Sequence, residues 1–133
     1  MERIDVRGVG FHNVTLSEAA DFLRREAGAG RCGLSVFTPN SEIVQMCIED
    51  PAFTDVINAA SLIIPDGIGV VKASRILGTP LKMKVAGVEL GKEVLHFAAE
   101  DGLGVYFLGA PISEDLGAEK DALNAVLEKQ NDR

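Results

Sequence analysis

The 133-residue chain has no tryptophan, one tyrosine and two cysteines. Cys32 and Cys47 form no Cys-x-x-Cys pair and have no companion histidines at ligand spacing, which excludes a disulfide framework and a zinc site and points to a reduced cytoplasmic setting. No run approaches the roughly 18 consecutive apolar residues of a membrane span. The start, Met1-Glu2-Arg3-Ile4-Asp5, lacks the apolar core of a signal peptide. Positive charge is scarce, with 13 Lys and Arg against 20 Asp and Glu and a net charge of −7. No Lys/Arg cluster stands out, so the summed field repels phosphate backbones and no nucleic-acid partner is expected. A Gly-Lys-Ser/Thr phosphate loop is missing, and so is an Asp-x-Asp pair to hold a divalent ion on a diphosphate. His12 and His96 stand in unrelated contexts. Nucleoside triphosphate hydrolysis is disfavoured, and neither a metal nor another cofactor is expected.

What is present is the material of one ordinary domain. A hydrophobic content of 47% in a chain of this size predicts a single core. Ile4 to Phe11 alternates around glycines as a hairpin or edge strand would. Thr15-Leu16-Ser17-Glu18 has the form of a capping box, and Leu16, Ala19, Ala20, Leu23 and Ala27 continue it at helical spacing to a stop at Gly28 and Gly30. Gly33–Phe37 reads as a first buried parallel strand closed by Pro39. A helix from about Ser41 breaks at Asp50-Pro51, where a second begins and runs to about Ala59. Ser61–Ile64 is the second strand, a helix carrying Val70 to Leu77 stops at Gly78-Thr79-Pro80, and one carrying Leu90 to Ala98 stops at Gly102. Val105–Leu108 is the third strand, followed by a helix from about Gly117 to Lys129.

This order predicts an α/β fold: a Rossmann-like parallel sheet with helices on both faces and an N-terminal hairpin, truncated after its third parallel strand. The whole of 1–133 is expected to be one incomplete domain whose open sheet edge favours a homo-oligomer or a partner chain that completes the sheet.

In such a sheet, ligands bind beyond the carboxyl ends of the strands, where helix N-termini aim free N–H groups into the crevice. Three strand ends supply Thr38-Pro39-Asn40, Asp66-Gly67-Ile68-Gly69 and Gly109-Ala110-Pro111. Asp66 sits between an apolar strand and two glycines, a setting that suits a carboxylate to proton transfer. It is equally placed to cap the following helix. Gly67 and Gly69 would admit a diphosphate, but Lys72 stands where Gly-x-Gly-x-x-Gly needs its third glycine, which disfavours a dinucleotide. Thr38 and Asn40 suit a base, ribose or sugar, or else shape a turn. Lys84 and Arg75 are the cations nearest in sequence, either countering leaving-group charge or solvated.

Phe11-His12-Asn13-Val14-Thr15, Thr38-Pro39-Asn40-Ser41-Glu42, Ala60 to Val71 with its Pro65-Asp66-Gly67, and Val85-Ala86-Gly87 resemble, in order and spacing, the WecG/TagA/CpsF glycosyltransferase family from about residue 4 to Gly109. The resemblance implies inverting transfer of N-acetylmannosamine, or a related sugar, from a UDP-sugar donor to a polyprenyl-diphosphate-linked N-acetylglucosamine acceptor. That reaction serves cell-surface polysaccharide or teichoic acid synthesis at the inner face of the membrane, with peripheral membrane contact. Carried onto this chain, Asp66 becomes the general base, and Thr38, Asn40, Gly67, Gly69, Lys84 and Gly109 bind substrate. The chain departs from the pattern at Lys84, where arginine is usual, at Glu89, where aspartate is usual, and from Gly109 to Ser113, where a glycine-rich loop is usual; the family's later glutamine-bearing segment is absent. The competing expectation is an inactive remnant that binds nucleotide or mediates oligomerisation.

Overall fold

The structure is a computed structural model that describes residues 1–109. These residues divide into two compact units, Met1–Leu90 and a second that starts at Gly91. The chain opens with an antiparallel hairpin, β1 (Arg3–Val6) and β2 (Val9–His12), in which Arg3 faces His12 and Val6 faces Val9. Its two-residue turn needs positive φ at both positions, which Arg7 (54°) and Gly8 (97°) supply. Val6, Val9 and Phe11 turn into the core with at most 1% exposure.

Helix α1 (Leu16–Gly28) is capped as its sequence signals, with Thr15 Oγ1 accepting the Glu18 N–H at 3.2 Å. α2 (Ser41–Glu49) and α3 (Pro51–Asn58) meet at Asp50, whose carboxylate accepts the N–H groups of Ala52 and Phe53 at 3.1 and 3.2 Å. Proline then fits the first turn of α3, where its missing donor is not needed. α3 packs against β2. Its last residue, Asn58, grips the hairpin by accepting from Gly10 N–H at 2.9 Å and donating to Gly8 O at 2.8 Å. α4 (Ile68–Ile76) buries Val70, Val71 and Ser74 and packs on β1. α5 (Gly87–Asp101) stops where Gly102 adopts φ 70°.

β3 (Val36–Phe37) and β4 (Leu62–Ile63) form a parallel pair. The hydrogen bonds run beyond these short strands. Leu62, Ile64 and Asp66 donate in turn to Ser35, Phe37 and Pro39 carbonyls at 3.1, 3.0 and 3.3 Å. The intervening donor points the other way, and Ile63 N–H goes to His12 Nδ1 at 2.9 Å. Pro65 has no donor on that side, and its carbonyl accepts from Val85 N–H at 2.8 Å. The outer edge of β4 is thus occupied by an imidazole and a loop.

The third strand expected at Val105–Leu108 is not formed. Val105, Tyr106, Phe107 and Leu108 are exposed and pair with no strand among the described residues. An apolar run has strand propensity, but a strand also needs a neighbour whose backbone groups complete its ladder. Among the described residues the fold therefore contains two two-stranded sheets, β1–β2 and β3–β4, instead of a three-stranded Rossmann-like sheet. The helix expected from Gly117 to Lys129 lies outside the described residues.

His12 is buried, and an Nδ1 that accepts a hydrogen bond must be unprotonated. Burial, and secondarily the Arg3 charge, lower its pKa below the ordinary value of 6.5. With the folded-state pKa depressed, the unfolded chain takes up the proton first. The resulting stability is present above pH 6.5 and declines as pH falls below it. The urea midpoint should therefore drop between pH 7.5 and pH 5.5 by an amount that His12→Asn, which keeps an acceptor but does not titrate, reduces. An unchanged pH profile in that variant would remove His12 from the account.

Candidate active site

The ladder register that joins Asp66 to Pro39 sets two chain segments side by side at the carboxyl ends of β3 and β4. Pro39 and Pro65 are fully buried. In extended backbone, successive side chains alternate between faces, so Thr38, Asn40 and Asp66 are turned away from the side on which the prolines are packed. Val85, through its bond to Pro65, brings the exposed Lys84 alongside the same strand end.

Three helices begin at this rim, and two glycines allow their close approach. At Gly69, in the first turn of α4, a Cβ would collide with Ser41 Oγ, which starts α2. At Gly87, the first residue of α5, a Cβ would stand 3.0 Å from Thr38 Cγ2, 3.1 Å from its Oγ1 and 3.3 Å from its Cβ. Gly67 is different: φ is 98° and nothing lies within 4 Å of a Cβ built there. Its glycine is required by the backbone, and the space beside it is open.

The side chains divide into those already engaged and those free. Asn40 caps α2, its Oδ1 accepting from Ile43 N–H at 3.0 Å, which leaves the exposed amide group to donate. The turn-shaping role and a substrate contact are thus compatible. Asp66 does not cap α4, contrary to one of the two readings open from sequence: Gly67 is the N-cap, and no side chain accepts from the first turn. The half-buried Asp66 carboxylate has no hydrogen bond or ion pair among the described residues. Arg75 falls in the last turn of α4, about 10 Å along the axis from its start, and so leaves the rim. Gly109 belongs to the second unit, exposed and outside any strand. Ser41 and Gly87 were not assigned roles from sequence, although a glycine opening a helix after Val85-Ala86 is the signal that a neighbour packs on its bare Cα.

A family model described as glycosyl transferase WecG/TagA/CpsF matches residues 4–126. The chain belongs to that family. Among its relatives are proteins of Staphylococcus aureus, strains NCTC 8325 / PS 47, COL and MSSA476, each named N-acetylglucosaminyldiphosphoundecaprenol N-acetyl-beta-D-mannosaminyltransferase. Each is 37% identical over 109 residues, which is 81% of this chain and 43% of the relative. The chain thus spans less than half the length of the curated relatives it matches. The Thr38-Pro39-Asn40 and Pro65-Asp66-Gly67 segments of this chain are joined by one hydrogen-bonded register, and Val85-Ala86-Gly87 reaches both, through the Val85 bond to Pro65 and the approach of Gly87 to Thr38.

The Thr38–Gly87 contact can be tested directly. Gly87→Ala must push Thr38 aside, and overpacking of this kind costs about 1–3 kcal/mol. Thr38→Ala removes both Cγ2 and Oγ1, so the double variant should recover more than half of the loss in a urea-unfolding cycle. Additive effects of the two substitutions would mean that they do not touch.

Proposed function

We propose that the chain is the nucleotide-sugar-binding part of an inverting glycosyltransferase. It takes N-acetylmannosamine or a related sugar from a UDP-sugar and attaches it to a polyprenyl-diphosphate-linked N-acetylglucosamine, in cell-surface polysaccharide or teichoic acid synthesis on the cytoplasmic side of the membrane. The observation that carries this reading is the Asp66 carboxylate. It stands half-buried at a strand end, with no partner among the described residues and no capping duty, which leaves it available to a substrate. The names of the relatives supply the acceptor and sugar class.

Asp66 takes the proton from the acceptor hydroxyl as that oxygen bonds to the anomeric carbon. The bond from that carbon to the diphosphate oxygen breaks on the opposite face, and UDP leaves with the electron pair. A single displacement inverts the configuration. The first-turn N–H groups of α4, uncapped by any side chain, and the open space at Gly67 suit the diphosphate. Lys84 adds positive charge beside it, as a point charge in place of a two-pronged guanidinium. The Thr38 hydroxyl and the free amide of Asn40 contact the nucleoside or sugar.

Calorimetry with UDP should show saturable binding to this chain, weakened by Thr38→Ala. Asp66→Asn should leave UDP affinity within a few-fold but reduce sugar transfer by roughly 10²- to 10⁴-fold. Saturable binding with no transfer by the parent chain favours the nucleotide-binding module. Absence of binding defeats both readings.

A further inference from the structure

Between Asp66 and Glu89 the chain carries Lys72, Arg75, Lys82 and Lys84 and no acidic residue, although acidic residues outnumber basic ones 20 to 13 overall. The helix gives this segment a face. Val70, Val71 and Ser74 are buried, while Ile68, Lys72, Arg75 and Ile76, spaced i, i+4, i+7 and i+8, form the opposite stripe. Ile68 is 50% exposed and Ile76 86%, and the chain beyond adds Leu77 at 50% and Met83 at 41%. Lys82 reaches Glu18 at 3.4 Å, in a pair whose side chains are each 49% exposed. Lys72, Arg75 and Lys84 take no ion pair among the described residues.

Exposed isoleucines alone would be ordinary surface, and so would solvated lysines. Their alternation on one face, free of negative charge in an acidic chain, is the pattern of a helix that lies at a lipid interface. Its apolar groups enter the headgroup boundary and its cations meet lipid phosphates. We propose that the outward face of α4, with the Leu77–Lys84 loop, docks this chain on an anionic phospholipid bilayer. The charge selects the occupant: four cations in a segment without an acidic residue attract an anionic bilayer. The stripe starts at Ile68, two residues from Asp66. Docking through it would hold the rim of β3 and β4 at headgroup level, where a lipid-diphosphate acceptor presents its sugar. That purpose rests on the transferase reading; the docking itself does not.

Co-sedimentation of the chain with vesicles of mixed phosphatidylglycerol and phosphatidylcholine tests it. Binding is expected to the mixed vesicles, little to pure phosphatidylcholine, and release at about 0.5 M salt, where charges are screened within a few ångströms. Removal of a cation near the surface should weaken partitioning about fivefold, so Lys72→Gln with Arg75→Gln should weaken it more than tenfold. Ile76→Ser should weaken it several-fold while leaving the salt dependence unchanged. No binding to mixed vesicles, or binding indifferent to the paired glutamines, overturns the proposal. Equally tight binding of a heparin oligosaccharide together with no effect of Ile76→Ser would overturn it too, because the face would then be reading polyanions. UDP calorimetry on the glutamine variant and sedimentation of Asp66→Asn keep the two readings apart: each variant should lose only its own activity.

Discussion

The alternation of backbone donors along residues 62–66 is the constraint on which this structure depends. Every second N–H crosses to the β3 segment, ending with the bond from Asp66 to Pro39. The one donor left on the other side is satisfied by a histidine from the hairpin, and the next position has no donor because it is proline. A one-residue slip would turn every side chain to the opposite face and exchange the places of Asp66 and Pro65. The Thr38-Pro39-Asn40 and Pro65-Asp66-Gly67 motifs, which start 27 residues apart, are therefore brought together only because this register holds. His12 contributes at a distance: it binds the edge of β4 that would otherwise end in an unpaired buried donor, a loss of about 1–3 kcal/mol.

The rim itself is built from absences. Gly69 and Gly87 let a serine and a threonine lie where side chains would stand, and so bring the start of α4 against the start of α2 and the start of α5 against the connection between β3 and α2. Convergent helix N-termini concentrate partial positive charge without introducing a formal cation. In a chain of net charge −7 this places favourable potential for an anion at the rim. The division of labour among the polar groups follows. Asn40 spends its oxygen on a cap and keeps its amide, while Asp66 spends nothing because Gly67 takes the cap position.

Local signals were legible in the sequence, and those that depend on a distant neighbour were not. The Thr15–Glu18 box, the shared cap at Asp50-Pro51 and the stop at Gly102 each act within one turn of chain, and each is found where the residues imply. Val105–Leu108 has an apolar composition suited to a strand, yet composition does not say whether a ladder will be beside it, and among the described residues none is. The two readings of Asp66 could not be separated from spacing, because the choice turns on whether the following glycine adopts a left-handed φ, which it does at 98°. The two strand ends that carry the site were both legible, since each is an apolar run closed by proline. The contacts of Gly69 and Gly87 were hidden, being between segments far apart in sequence.

Charge shows the same dependence on folding. Lys72, Arg75, Lys82 and Lys84 are interrupted in sequence by apolar and small residues, so no basic cluster stands out in a linear reading. Winding residues 68–76 into a helix whose inner side is committed to the core sorts the interruptions from the cations and leaves isoleucine and basic residues on one stripe. The sorting has a further consequence. On the proposed docking, the stripe is the part of α4 that meets an anionic surface. The stripe begins two residues beyond Asp66, so docking through it would bring the start of α4, and with it the candidate base, near that surface. On the proposed reading, a base that serves a lipid-anchored hydroxyl needs that proximity, and one that serves a soluble acceptor does not.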